Sequence, residues 1–497
     1  MASKWFHLVG FVAAISIRLT FSLSGASKVL QHRVEVVTPT NSLKRLAEAR
    51  WLIDNGMSPY EGWAYHASPC YVYLLQPVIG AIQRQDARLS KISGTLLCIA
   101  ADLLAAVLLQ AIVFRACKPG NFESASGQDV PSCSAVEAHG AKQLDLTSPE
   151  ERKSAYVHDG ASGDAPFNDL AGILYLLNPY TIAACIGGST GSIDNCAVLL
   201  ALYGSVNGSI PLATFGLVLA SHLTLHPALL IVPCFLLLHQ GLDRRKPCQP
   251  PPASDTIDIA PRNQNEPPTK KRPAMVDIST YRESRTGSGV ILLAAFFSIG
   301  LGFWTVALLA LCKVLLGERG SLLQMWKATH GFILAADDLT PNIGLFWYFF
   351  AEVFDHFRTF FLFVFHYLVL VIMLPPLTIR FHHRPLFLAY VILGLTSIFK
   401  SYPSVSDAAL YLGLLPAFAR ELRQMRFVFV GVNGLLVASV IGPVMYNLWI
   451  WKNVGNANFF YAMTLVYACA QAVLLIQSTA AVLQYDKSRN SPQDLST

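Results

Sequence analysis

Long apolar runs separated by short polar stretches recur from one end of the chain to the other, and two of the polar stretches are far longer than the rest. A helix needs about 20 consecutive apolar residues to cross a hydrocarbon core. The runs are long enough for this, and the short alternating segments of a β-barrel are missing. Placing one helix on each run predicts an all-α, polytopic transmembrane bundle of about twelve spans. The first run, Trp5 to Leu23, contains Arg18 and lacks a small-residue cleavage pattern, so it reads as a retained span rather than a leader. The expected organisation is first spans over 1–115 with a loop at 24–90, a low-complexity loop at 116–166, helices over 167–239, a polar linker at 240–286, helices over 287–484 and a tail at 485–497.

Composition supports this class. Of 497 residues, 53% are hydrophobic and 14% charged, and mean hydropathy is +0.44, outside the ordinary soluble range. The net charge of +6 reflects topology and not a nucleic-acid footprint, because Lys and Arg gather in loops on one side. The loop 240–286 holds nine basic residues against six acids, with the Pro-rich run Pro247 to Pro252 precluding helix. Requiring basic loops to face the cytosol puts both termini there, together with 116–166, 240–286, Arg380 to Arg384 and Arg420 to Arg426. The sequon Asn207-Gly-Ser209 then falls in a tight cytosolic turn and is expected to be unmodified. The ten cysteines show no CxxC pairing and no His spacing of a zinc site, and read as small core residues.

The remaining polar residues gather in loops on the opposite side. The stretch Asp338 to Phe357 carries Glu352, Asp355 and His356 inside an aromatic run that includes Tyr348, with Asn342 after the helix-breaking Pro341. Ionisable groups at membrane depth are functional hypotheses by default, although the rings alone also fit an interfacial belt. Glu352 and His356, spaced i and i+4, would share one helical face and could pair. Lys400 and Asp407 flank Pro403, with Tyr402 between them; the lysine suggests a phosphate contact, or a pair with Asp407. Asn456 and Asn458 precede the last span, where they cap it or present amides to a sugar. In the first loop Ser58, Tyr60 and His66 belong to turns around Gly56-Met-Ser-Pro-Tyr60 and His66-Ala-Ser-Pro69. Glu35 is a lone carboxylate, either solvated, paired with Arg33, or touching a ligand. The junction Gly188 to Asn195 reads as an opening between helices, or as a tight hairpin with Asp194 as its N-cap.

The turn Gly56-Met-Ser-Pro-Tyr60 and the junction Leu177-Asn-Pro-Tyr-Thr181 resemble the GT-C superfamily of lipid-linked glycosyltransferases. Those enzymes use paired acids early in the first loop, where this chain has Val34-Glu-Val-Val-Thr-Pro39. A single carboxylate lacks the partner for general-base or metal-assisted transfer. The blocks Arg33-Val-Glu-Val-Val37, Leu177-Asn-Pro-Tyr-Thr-Ile182, Asp338 to Phe350, Phe399-Lys-Ser-Tyr-Pro403 and Asn456-Ala-Asn-Phe-Phe-Tyr-Ala462 are similar to the PIG-U family, polytopic subunits of the GPI transamidase. That resemblance implies a non-catalytic subunit in the endoplasmic reticulum membrane, without metal or cofactor, that holds the GPI glycolipid. It implies catalysis by the caspase-like PIG-K subunit, with PIG-S, PIG-T and the Gaa-type subunit as further partners. The alternative is an active GT-C-type enzyme taking mannose from dolichol-phosphate mannose. A fatty-acid elongase is disfavoured, since His382-His383 lacks the preceding His of a His-x-x-His-His box. A transporter wants internal repeats, which the chain does not show. The candidate glycolipid-binding residues are Ser58, Tyr60, His66, Asn342, Tyr348, Glu352, His356, Lys400, Tyr402, Asp407, Asn456 and Asn458.

Overall fold

Apolar residues all round a helix bury it in lipid or protein, and in the computed structural model that property organises the chain. The structure describes residues 2–76, 87–116, 170–243 and 286–490. The expectations for most of the two low-complexity loops and the end of the tail lie outside the described residues. Within them the architecture is helical, without strands; one isolated bridge joins Ser42 to Ser189.

The helices are α1 (Ala2–Leu23), α2 (Ala26–Leu30), α3 (Arg45–Asp54), α4 (Pro69–Leu74), α5 (Ala87–Ala116), α6 (Ala171–Leu177), α7 (Pro179–Gly187), α8 (Gly191–Val206), α9 (Ile210–Leu223) and α10 (Ile231–Asp243). After the second long loop follow α11 (Thr286–Leu316), α12 (Leu322–Trp326), α13 (Phe346–Glu352), α14 (Asp355–Phe381), α15 (Pro385–Phe399), α16 (Val405–Leu414), α17 (Val428–Trp451) and α18 (Ala457–Asn490). Among the described residues, five helical stretches, in α5, α11, α14, α17 and α18, are long and apolar enough to cross a membrane. Five shorter apolar helices lie in α1, α8, α9, α15 and the segment His226–Gly241.

Local chemistry sets the boundaries. The Asn178 side chain accepts from the Tyr180 amide at 2.9 Å, with Pro179 at the first helical position, and α7 ends at Gly188, whose φ of 71° suits glycine. Helices α8 and α9 form a hairpin in which a Cβ at Gly204 or Gly216 would sit 2.5 or 2.4 Å from the facing backbone. Small residues thus bring the two backbones together, as in other membrane bundles.

A buried polar hub holds the first helices. Arg18 pairs with Asp102 at 3.2 Å and donates to the Leu176 carbonyl and the Thr181 hydroxyl. An arginine in an apolar helix is thereby matched by α5, α6 and α7 at once, the arrangement such a charge requires inside a core.

The first loop is folded onto the bundle. Thr190 donates its amide to the Asn41 carbonyl, Leu43 to the Gly188 carbonyl and Val405 to the Glu35 carbonyl. Ser189, Thr190, Ser192 and Asn195 are consequently buried. The junction at 188–195 is covered, which fits the tight hairpin of the two sequence readings and not the opening. Asp194 is not the N-cap of α8, a position held by Thr190; its carboxylate instead accepts from the Tyr71 hydroxyl at 2.5 Å.

Candidate functional site

The irregular segment 337–345, between the left-handed Ala336 (φ 48°) and α13, sits on a stack of three rings. His66 lies flat on Phe332, with centroids 3.6 Å apart, and Phe332 lies flat on Tyr402 at 5.1 Å. The Tyr402 hydroxyl accepts from the Asp338 amide at 2.9 Å, so the first loop, the residues after α12 and the loop after α15 meet here. Both nitrogens of His66 lie 3.0 Å from carbonyls, those of Ala328 and Trp63. Burial lowers its basicity against the opposing pull of those carbonyls. Ser58 donates to Gln324 Oε1 at 3.0 Å, and Tyr60 donates to the Ala67 carbonyl at 3.0 Å while stacking on Tyr65.

The residues around Pro403 are likewise engaged within the chain. Lys400 Nζ lies 2.7 Å from Asp407 Oδ1, and Asp407 closes a capping box with Ser404 at the start of α16. The lysine therefore neutralises a helix cap, and the pairing with Asp407, one of the two readings of the sequence, is present. Asn342 is buried, accepting from the Gly344 amide at 2.7 Å. Gly344 is required there, because a Cβ would lie 2.8 Å from both Asn342 and Pro403.

Sequence reasoning missed His366, Ser401 and His226. The Ser401 hydroxyl donates to the Ile333 carbonyl at 2.8 Å and accepts from His366 Nε2 at 2.7 Å, which assigns the imidazole proton to Nε2. The His226 ring is 6.5 Å from His366. The available signals were His366 alone inside an apolar run and His226 one helical turn after His222.

A second group of predicted residues lies on the rim. The helix that was to carry Glu352 and His356 on one face is broken between them. Helix α13 ends at Glu352, Val353 and Phe354 take extended ψ values of 136°, and α14 restarts at Asp355. The i, i+4 relation therefore fails, and both side chains are exposed. The break turns Trp347 and Phe350 inward while leaving Phe354 outside, 75% exposed. His356 rests against Phe354 and Phe357. Tyr348 meets Tyr461 at 4.7 Å, beside a cluster of Trp347, Trp449 and Phe460. Asn456 accepts from the Asn458 amide at 3.1 Å and so caps α18, whereas the Asn458 side chain stays exposed.

Glu35 departs from both ordinary readings. It is 6% exposed, neither carboxylate oxygen has a hydrogen-bond partner, and Arg33 donates to the Pro443 carbonyl instead of pairing with it. Desolvation raises its pKa above the usual carboxylate range.

Comparison with known proteins places this geometry in context. The family described as GPI transamidase subunit PIG-U matches residues 12–467. The chain is 30% identical over 464 residues to the GPI-anchor transamidase component PIGU of Mus musculus, covering 93% of this chain and 90% of that protein. Identity to the human component of the same name is 31% over 465 residues, covering 93% and 90%. The GPI transamidase component GAB1 homolog of Schizosaccharomyces pombe is 28% identical over 467 residues, covering 94% and 91%. A match across nearly the whole chain, spanning the first loop, the stretch Asp338 to Phe357 and the start of α18, makes this chain a member of the PIG-U family of GPI transamidase subunits.

Proposed function

We propose that the chain is a non-catalytic subunit of the GPI transamidase in the endoplasmic reticulum membrane, and that its loop-bearing end receives the GPI glycolipid for attachment to protein C-termini. In this reading about twelve spans form a GT-C-like scaffold with both termini cytosolic. PIG-K performs the chemistry, and PIG-S, PIG-T and the Gaa-type subunit complete the assembly. The family match across 12–467 carries the reading. The distribution of polar groups supports the division of labour. The Ser58, Tyr60, His66, Asn342, Lys400, Tyr402 and Asp407 side chains brace the scaffold, while Glu352, His356 and Asn458 remain exposed and able to meet a headgroup, with Tyr348 beside an apolar ring cluster suited to sugar or acyl contact. Early in the first loop, sugar transfer would want paired acids, where the sequence has the single Glu35 in Val34-Glu-Val-Val-Thr-Pro39. Among the described residues, the one trio of metal-ligating side chains close enough to share an ion excludes Glu35.

A GPI glycolipid with a photoreactive acyl chain, added to the purified complex, tests the reading. Crosslinks to peptides containing Tyr348 to His356 or Asn458 are expected. Labelling confined to the other subunits contradicts it.

A further inference from the structure

Three soft ligands from distant parts of the sequence converge below the first loop. Cys70 lies in α4, His222 in the last turn of α9 and Cys312 near the end of α11. Cys70 Sγ and Cys312 Sγ are 3.7 Å apart, His222 Nε2 is 3.2 Å from Cys312 Sγ, and the three donor atoms all lie within 4.8 Å of one another. A tetrahedral zinc with metal–sulfur bonds of about 2.3 Å sets two thiolates about 3.8 Å apart. The sulfur separation therefore fits two ligands on one ion and is too long for a bonded pair, whose sulfurs stand at about 2.05 Å.

We propose that Cys70, His222 and Cys312 bind a zinc ion that staples the first loop to α9 and α11. The imidazole favours this over a disulfide, which has no use for a histidine nitrogen 3.2 Å from one of its sulfurs. Ser68, whose hydroxyl lies 2.9 Å from His222 Nε2, stands where it or a water it holds completes the fourth position. The surroundings are those of a structural site. Cys312 is fully buried and belongs to a core cluster with Tyr60, Tyr65, Tyr71 and Met325. Thiols are weak hydrogen-bonding partners for a half-buried imidazole, whereas a zinc ion takes both sulfurs as thiolates and the neutral ring together. Each of the three residues sits on a separate element, so the ion fixes the loop that carries Ser58, Tyr60 and His66. Cysteine spacing carries no hint of the site, because its members are 90 and 242 residues apart along the chain.

The full-length chain, purified in detergent without chelators, is assayed for metal by mass spectrometry. About one zinc per chain is expected, falling to background in Cys70→Ser and His222→Ala and unchanged in Cys469→Ser, which alters an exposed thiol elsewhere. Exchange of the wild-type chain with Co²⁺ tests the site without any variant, and sulfur-to-cobalt charge-transfer bands with tetrahedral d–d bands are expected. Wild-type protein without zinc and without these bands overturns the proposal, as does a Cys70–Cys312 disulfide in a non-reduced peptide map.

Discussion

The residues singled out from the sequence divide into two regions with opposite physics. On the inner seam, Ser58, Tyr60, His66, Asn342, Lys400, Tyr402 and Asp407 are satisfied within the chain, by carbonyls, amides, rings and one another. On the outer rim, Glu352, His356 and Asn458 expose their side chains, and exposed phenylalanines neighbour them along the chain at Phe354 and Phe459. Polar groups buried and paired are costly to disturb and do little else. Polar groups exposed among apolar neighbours cost little to change and are free to bind. The difference teaches that an unexpected polar residue in a membrane protein has to be sorted by its partners before it is given a function.

Substitutions sharpen this division, beginning where the loss is greatest. Arg18→Met leaves Asp102 uncompensated in the core, and such breaks cost about 3–5 kcal/mol. The expected result is loss of folded protein from detergent extracts, and normal yield would contradict the assignment of the hub. On the seam, Asn342→Ala strips the acceptor from the Gly344 amide and Lys400→Met leaves Asp407 with its cap alone. Each is expected to destabilise by about 1–3 kcal/mol, seen as a lower thermal midpoint and weaker co-purification with partner subunits. A variant of normal stability that nonetheless lost only lipid binding would move Lys400 from the seam to the rim.

Glu35 gives an effect of the opposite sign. Its folded-state pKa lies above the unfolded value because burial disfavours the anion, so the folded chain binds the proton more tightly. Its burial is tolerated below the ordinary carboxylate range and becomes a penalty as pH rises through the raised pKa. Glu35→Gln is therefore expected to raise the thermal midpoint at neutral pH and to flatten its decline between acid and neutral pH. A lower midpoint at neutral pH would show that the carboxylate has a stabilising partner.

How much of this was legible in the sequence follows from the range of the forces involved. Apolar runs gave helix positions because burial of a whole face is a local pattern, and Asn178-Pro179 and Ser404 to Asp407 announced helix starts through backbone chemistry a few residues long. The Lys400–Asp407 pair was one of two readings for the same reason. The break at Val353 and Phe354 was not legible. It is set by where Trp347 and Phe350 find partners on α17, α18 and α14, and no residue near it is a helix breaker. Equally hidden were the three-ring stack of His66, Phe332 and Tyr402, the His366–Ser401 contact and the Cys70, His222 and Cys312 trio, all made by segments far apart in the chain. Glu35 was visible as a lone acid, yet its burial depends on the loop folding back beside Arg33 and Pro443.

The central claim is that the rim serves the transamidase without holding the fold. Cells lacking their own subunit, supplied with the triple variant Glu352→Gln, His356→Ala, Asn458→Ala, measure it directly through the surface display of GPI-anchored proteins, scored beside recovery of the assembled complex. Exposed substitutions of this kind change stability by about 0.5 kcal/mol or less each, so full assembly with display reduced to a small fraction of wild type is the predicted result. Wild-type display from an assembled complex would contradict the account.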